Sequence, residues 1–166
     1  MITSTFQDKL QGIVRVDKVA EDGTVLDTIK QNLVVDLART TIRDLLYQPN
    51  SNSKLNVLQL GTMGMNYGDN TTNLPSPSNS DIALVSPYYT VTASTRTPLV
   101  MYNRPALQLF FSIPSGYAND PNPAVMNKLI TELGLFTDAN ALFARVIIPL
   151  VKTRDIGLNI YWTVII

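Results

Sequence analysis

The 166-residue chain contains no cysteine and no histidine, and these two absences remove several classes of chemistry. Without cysteine the chain has no disulfide framework and no thiolate nucleophile. Without either residue, Cys/His zinc sites and the Ser-His-Asp and Cys-His catalytic arrangements are excluded. We therefore predict a protein that is not an enzyme, and we assign it no catalytic residue, no metal and no cofactor.

Charge is also scarce, and it is balanced. Lys plus Arg is 13 and Asp plus Glu is 13, so the formal net charge is zero. Proteins that bind nucleic acid through its phosphates need a basic face, and we expect no nucleic-acid partner. No apolar run approaches the roughly 20 residues of a membrane-spanning helix, and we expect no membrane partner. A near-neutral surface opposes self-association only weakly, which suits a protein that works in an assembly.

Hydrophobic residues make up 45% of the chain, enough for a substantial core, and the length predicts a single domain over residues 1–166. Short apolar runs separated by Gly, Pro and Asn predict a mainly β fold. We expect an antiparallel β-sandwich (jelly-roll-like) with one packed α-helix. After the first hairpin, strands are predicted at Val57–Leu60, Ile82–Val85, Tyr88–Ala93, Leu99–Tyr102, Ala106–Ile113, Leu129–Phe136, Leu142–Ile148 and Ile156–Ile166.

A hairpin and the single helix are predicted near the start of the sequence. Gly12–Val19 and Val25–Val35 flank an Asp-Gly pair, which is a strong signal for a two-residue hairpin turn. Asp36 is a plausible N-cap, and apolar residues between positions 34 and 45 fall on one helical face. Arg39 falls on the opposite face of this predicted helix.

Two long loops interrupt the predicted strands, at Gly61–Asp81 and Pro114–Pro123. Loops of the first one's length are usually functional or ordered by a partner. Asp69 and Asp120 lie among asparagines in these loops, which allows either an oxygen-ligand metal site or ordinary Asx-turns. Neither group has EF-hand spacing, so we favour the Asx-turn interpretation.

Glu132 is the most conspicuous carboxylate because it lies in an apolar strand. It could be one member of a glycosidase pair, but no second carboxylate has a distinctive spacing to it. The alternatives are an outward-facing position, or a buried carboxylate paired with an arginine such as Arg145 of the hairpin partner. An unpaired buried charge is costly, so we interpret Arg39 and Glu132 as polar anchors inside the fold.

The aromatic residues also allow two interpretations. Tyr88, Tyr89 and Tyr102 could form a platform on which a sugar stacks, or they could pack in the sheet or against a neighbouring subunit. We favour packing, because tyrosine is enriched in strands and at interfaces. Trp162 shares the apolar face of the final predicted strand, and we expect it in the core.

Three motifs follow one another along the chain, in the predicted helix, the first long loop and the C-terminal strands. Their residues are Asn32, Leu33, Val34, Val35, Ala38, Arg39, Ile42, Leu45 and Leu46; Leu60, Gly61, Thr62, Pro77, Ser78, Ser80, Asp81, Ala83 and Leu84; and Ile130, Glu132, Gly134, Leu135, Phe136, Leu142, Ala144, Arg145, Lys152, Leu158, Ile160, Trp162 and Val164. Together these motifs resemble those of virion structural proteins of tailed bacteriophages, of the tail-fibre, baseplate or neck-collar type. Two departures from the usual pattern are an Asp-Ala-Asn turn at 138–140 in place of Asp-Gly, and a longer loop over 61–80.

The resemblance implies a structural role in a virion assembled in the host cytoplasm. The expected partners are copies of the chain itself and other virion proteins of the tail, neck or capsid. We expect the protein to form a homo-oligomer in the tail, neck or baseplate region. Two alternatives remain open: a carbohydrate-binding module of a tail fibre that recognises the host receptor, and a capsid decoration protein.

Overall fold

A computed structural model of the protein describes residues 11–32, 54–78 and 80–166. These ranges contain β-strands and turns but no helix. Accordingly, the described residues include no helix long and apolar enough to cross a membrane. The strands are β1 (Gln11–Val19), β2 (Val25–Asn32), β3 (Leu55–Gly61), β4 (Pro87–Thr92), β5 (Thr95–Met101), β6 (Arg104–Ile113), β7 (Asn127–Thr137), β8 (Leu142–Thr153) and β9 (Gly157–Ile165).

The strands form two antiparallel sheets, which confirms the mainly β prediction. One sheet has five strands in the order β2-β1-β9-β6-β5, and the other has four in the order β4-β3-β7-β8. Four pairs of successive strands are hairpin neighbours: β1 with β2, β3 with β4, β5 with β6, and β7 with β8. Strand β9 then inserts between β1 and β6, and β7 pairs with β3.

A single hydrophobic cluster draws on both sheets. Trp162 has no exposed surface and is in register with Val14 on one side and Leu109 on the other. Alternate residues of each strand point to the same face, so the apolar positions of β9 and β6 meet those of β3, β7 and β8. The fully buried members include Leu109, Phe111, Ile160 and Trp162 from the five-stranded sheet and Leu58, Leu60, Ile130, Leu133, Leu135 and Phe143 from the four-stranded sheet.

Two predicted elements have different outcomes. The predicted helix, with Asp36 and Arg39, lies outside the described residues. The predicted strand Ile82–Val85 is wrong, because these residues belong to the loop before β4. Ile82 and Val85 are 77% and 63% exposed, and the Val85 N–H donates to a side chain instead of to a neighbouring strand.

Strand β8 is longer than predicted, since it runs beyond Ile148 to Thr153. The extension includes Pro149, and proline lacks the N–H that a central strand requires. Among the described strands, β8 lies at the edge of its sheet, so one side of its backbone pairs with no other described strand. A proline is tolerated there, and the extension carries Lys152 into the structure.

Candidate functional site

Glu132 and Arg145 lie together on the face of the four-stranded sheet that points away from the shared core. Leu133 and Leu135 belong to the core, so Glu132 points to the opposite face of β7. Glu132 is in register with Ile147, which places Arg145 two residues along the neighbouring strand on the same face. Glu132 has no exposed surface and Arg145 is only 5% exposed.

The buried carboxylate of Glu132 accepts four hydrogen bonds. The Arg145 Nη2 and Nε atoms donate to its Oε2 over 2.7 and 3.1 Å. The Ser86 N–H donates to Oε1 over 3.0 Å, and the Val85 N–H donates to Oε2 over 3.2 Å. Charge-assisted bonds of this kind compensate for the loss of hydration of a buried carboxylate. The structure therefore brings Glu132 and Arg145 together as a buried ion pair.

Asp81 extends the pair into a network of three charged groups. Arg145 donates from Nη1 to Asp81 Oδ2 over 2.7 Å, and the Ser78 N–H donates to the same oxygen over 2.9 Å. Burial raises the pKa of Asp81, but the Ser78 hydrogen bond and the Arg145 guanidinium together outweigh it and leave the pKa below its usual value. We call Asp81, Glu132 and Arg145 the first anchor.

The first anchor holds the loop between β3 and β4, residues 62–86, against the sheet. Leu84 is buried and packs with Phe136 and Leu142 in a second, smaller hydrophobic cluster. Gly134 leaves room for this contact, because a Cβ atom there would lie 2.9 Å from the Leu84 side chain. Just before β4, the Val85 N–H donates a hydrogen bond to the Glu132 carboxylate. The loop is thus held against the sheet by both polar and apolar contacts.

Gly61 makes room for the Glu132 side chain. The two residues are in register on β3 and β7. A Cβ atom on Gly61 would lie 2.7 Å from the Glu132 Cγ and 2.8 Å from its Cδ, both well inside van der Waals contact. A residue without a side chain is therefore required beside the buried carboxylate.

This geometry argues against Glu132 as a catalytic acid or nucleophile. Both oxygens already accept hydrogen bonds, and the side chain has no surface that a substrate could reach. A general acid or base must be within hydrogen-bond reach of the substrate. The Glu132–Arg145 ion pair therefore has a structural role, which is to hold the loop of residues 62–86 against the sheet.

Lys152 forms the centre of a second anchor, which holds the loop between β6 and β7, residues 114–126. The side chain has no exposed surface, and its Nζ donates to Asn119 Oδ1 over 2.8 Å and to the Thr153 carbonyl over 3.2 Å. Arg154 donates from Nη2 to the carbonyls of Asp120 and Asn122, each over 3.0 Å. Lys152 thus holds the Asn119 side chain of this loop, and Arg154 holds the loop backbone at Asp120 and Asn122.

Tyr88 and Lys128 complete the second anchor. The Tyr88 hydroxyl donates to the Ala118 carbonyl over 3.2 Å, and burial raises the pKa of this phenol. The Lys128 Nζ lies 5.0 Å from the centroid of the Tyr88 ring and 3.1 Å from Asp120 Oδ2. We define the second anchor as Tyr88, Lys128, Lys152 and Arg154.

The buried lysine predicts a specific pH dependence. Burial lowers the pKa of Lys152 to about 8, with opposing effects from Asp155 and Arg154. Between that value and the unfolded pKa of about 10.4, the unfolded chain holds a proton that the folded chain has lost. We therefore expect the free energy of unfolding of the wild type, relative to Lys152→Met, to rise from pH 8 to pH 10.

Urea unfolding at several pH values measures this difference. The matched control is Lys30→Met, at an exposed position on β2. Subtracting each variant from the wild type removes the titration of all other groups. A difference for Lys152→Met that stays flat between pH 8 and 10 would contradict the prediction.

The three tyrosines do not form one platform. Tyr88 and Tyr89 are half-buried and pack against the hydrophobic core. Tyr102 lies in the turn between β5 and β6, in the other sheet, and is 75% exposed. Tyr67 of the first loop is an exposed tyrosine that lines a cleft. No periodic pattern marks Tyr67, so nothing in the sequence distinguishes it from other loop residues.

The oxygen-rich groups in the loops form Asx-turns, which confirms that interpretation. Asn70 Oδ1 accepts from the Thr72 N–H over 2.9 Å, and Asp120 Oδ1 accepts from the Asn122 N–H over 3.0 Å. Asp69 Oδ2 accepts from the Asn66 N–H over 2.7 Å, which is also a local bond within the loop but not an Asx-turn, because the donor lies three residues before Asp69. Within the described ranges no group of three or more acidic side chains is placed to hold a metal ion.

Comparison with protein-family models, with curated proteins and with solved structures gives no match for this chain. The two anchors described above are therefore the evidence on which a functional proposal is built.

Proposed function

We propose that this protein is a non-enzymatic structural component of a tailed-bacteriophage particle, in the tail, neck or baseplate region. In this proposal it forms a homo-oligomer and docks other virion proteins. The supporting observation is that residues of separate phage-like motifs meet at the first anchor. Gly61, Asp81 and Leu84 come from the loop motif, and Glu132 and Arg145 come from the C-terminal motif.

The anchored loop also has the properties of a docking surface. Ile82 and Val85 are large apolar side chains that are 77% and 63% exposed, on either side of the buried Leu84. Their backbone is fixed by the first anchor, so little conformational entropy is lost when a partner covers them. Exposed apolar side chains on a rigid support are typical of interaction sites.

We infer that the two sheets pack face to face as a β-sandwich, since one core cluster draws on both. Its chain path consists of successive hairpins closed by β9. This differs from the jelly-roll-like path that we predicted from the sequence. The sandwich supplies a rigid body from which both anchored loops project.

Light scattering and native mass spectrometry of the purified protein test the proposal together with cryo-electron microscopy of intact particles. We expect a defined homo-oligomer in solution and density for the chain in the tail, neck or baseplate. Density on the capsomers would instead identify a decoration protein. A monomer that is missing from the particle would overturn the proposal.

A substitution on the first loop tests the docking surface itself. Ile82→Asp should weaken assembly by about tenfold or more, because it places a charge in the centre of the apolar contact. The control is Val25→Asp on β2, at a position that is 53% exposed and far from the loop in sequence. Equal effects of the two variants would show that the first loop has no special part in assembly.

A further inference from the structure

A cleft of about 310 Å³ lies where the two long loops approach each other. Met65, Asn66 and Tyr67 of the first loop form one wall, and Asp120 and Val125 of the second loop form the other. The start of β7, at Asn127, Lys128 and Leu129, forms the floor. No residue that lines this cleft belongs to the phage-like motifs or to the first anchor.

Two amide side chains at the cleft have unused hydrogen-bonding groups. Neither the Asn66 nor the Asn127 side-chain amide has a hydrogen-bond partner among the residues that the structure describes. Each amide offers two N–H donors and a carbonyl acceptor. The pair can therefore bind a ligand that carries both donors and acceptors, such as neighbouring hydroxyl groups.

The cleft also has an apolar side and little net charge. Tyr67 is 55% exposed, so part of its ring is open to a ligand, and Met65 and Val125 add apolar surface beside it. The only cation lining the cleft among the described residues, Lys128, forms an ion pair with Asp120 at 3.1 Å. A neutralised lysine gives little attraction for phosphate or another anion.

We propose that this cleft binds an uncharged hexopyranose unit of a saccharide. A pyranose ring has a C–H face that can stack on the exposed part of Tyr67 and hydroxyl groups that can pair with Asn66, Asn127 and the Asp120 carboxylate. A site with an aromatic surface and a few polar groups is the usual composition of a small-molecule pocket. The proposal is independent of any place in a virion.

The wall formed by the second loop is held in place before a ligand arrives. Asp120 Oδ2 is bonded to Lys128, and its backbone carbonyl accepts from Arg154 over 3.0 Å. The second anchor thus fixes the wall that carries the carboxylate. Because little ordering remains for this wall, the entropy lost on binding is small.

Titration of the full chain, followed in two-dimensional 1H–15N NMR spectra, tests the proposal. The probes are the methyl glycosides of glucose, galactose and N-acetylglucosamine at millimolar concentrations, with methyl glucuronide and inorganic phosphate as anionic probes. We expect at least one neutral glycoside to shift the resonances of Asn66, Tyr67 and Asn127. Binding should weaken about tenfold or more in Tyr67→Ala, since the stacking surface is lost.

The matched control is Tyr102→Ala, which removes an even more exposed tyrosine from the turn between β5 and β6. This variant should bind the same glycoside as the wild type does. Both tyrosines are exposed, so thermal unfolding should show both variants to be folded. Three results would overturn the proposal: no perturbation by any neutral glycoside, tighter binding of glucuronide or phosphate, or unchanged binding in Tyr67→Ala.

Discussion

Replacing Arg145 by methionine is expected to lower the free energy of unfolding by about 3–5 kcal/mol. The substitution leaves the Glu132 carboxylate buried without its cation, at a site with no exposed surface. It also removes the donor to Asp81. Urea denaturation with linear extrapolation measures the loss, and the slope of the transition shows whether the folded state stays compact.

A double variant separates the cost of the unpaired buried carboxylate from the cost of lost packing. In Glu132→Gln with Arg145→Met, the buried carboxylate is gone, so we expect this double variant to be more stable than Arg145→Met alone. The surface control is Lys30→Met, at an exposed position on β2, which should change stability by no more than about 0.5 kcal/mol. If Arg145→Met costs no more than this control, the first anchor does not stabilise the fold.

Replacing Gly61 by alanine is expected to cost about 2–3 kcal/mol, near the upper end for overpacked sites. The new Cβ atom would lie 2.7 Å from the Glu132 Cγ. Glu132 has nowhere to move, since its oxygens accept from Arg145, Val85 and Ser86. Thermal and urea unfolding of the variant measure the cost.

The cause can be isolated by repeating the substitution in a chain that lacks the pair. In a Glu132→Ala, Arg145→Met background the side chain beside Gly61 is absent, so Gly61→Ala should cost much less than in the wild type. An equal cost in both backgrounds would show that the backbone at Gly61, and not the carboxylate, requires glycine.

The ion pair could be predicted from the sequence because its partners are close along the chain. Glu132 and Arg145 are 13 residues apart on the two strands of one hairpin, and hairpin pairing places such residues on one face. The apolar alternation of β9 likewise located Trp162 in the core. The first prediction rested on hairpin geometry, and the second rested on the alternation of apolar residues along one strand.

The other anchor contacts could not be predicted because they join distant segments. Asp81 is 64 residues from Arg145, and Asn119 is 33 residues from Lys152. No periodic pattern relates a loop residue to a strand that it meets only after folding. The same limit explains the wrong strand at Ile82–Val85, whose apolar residues serve the loop instead of a sheet.

Hydrogen exchange at the Val85 and Ser86 amides tests most directly whether the first anchor fixes the loop. Both amides lie outside β4 and donate to the buried Glu132 carboxylate. We predict that both exchange slowly in the wild type, and that Arg145→Met accelerates them well beyond the Trp162 amide in the core. Exchange at Val85 and Ser86 as fast as at Gly68, in the exposed part of the same loop, would contradict the account.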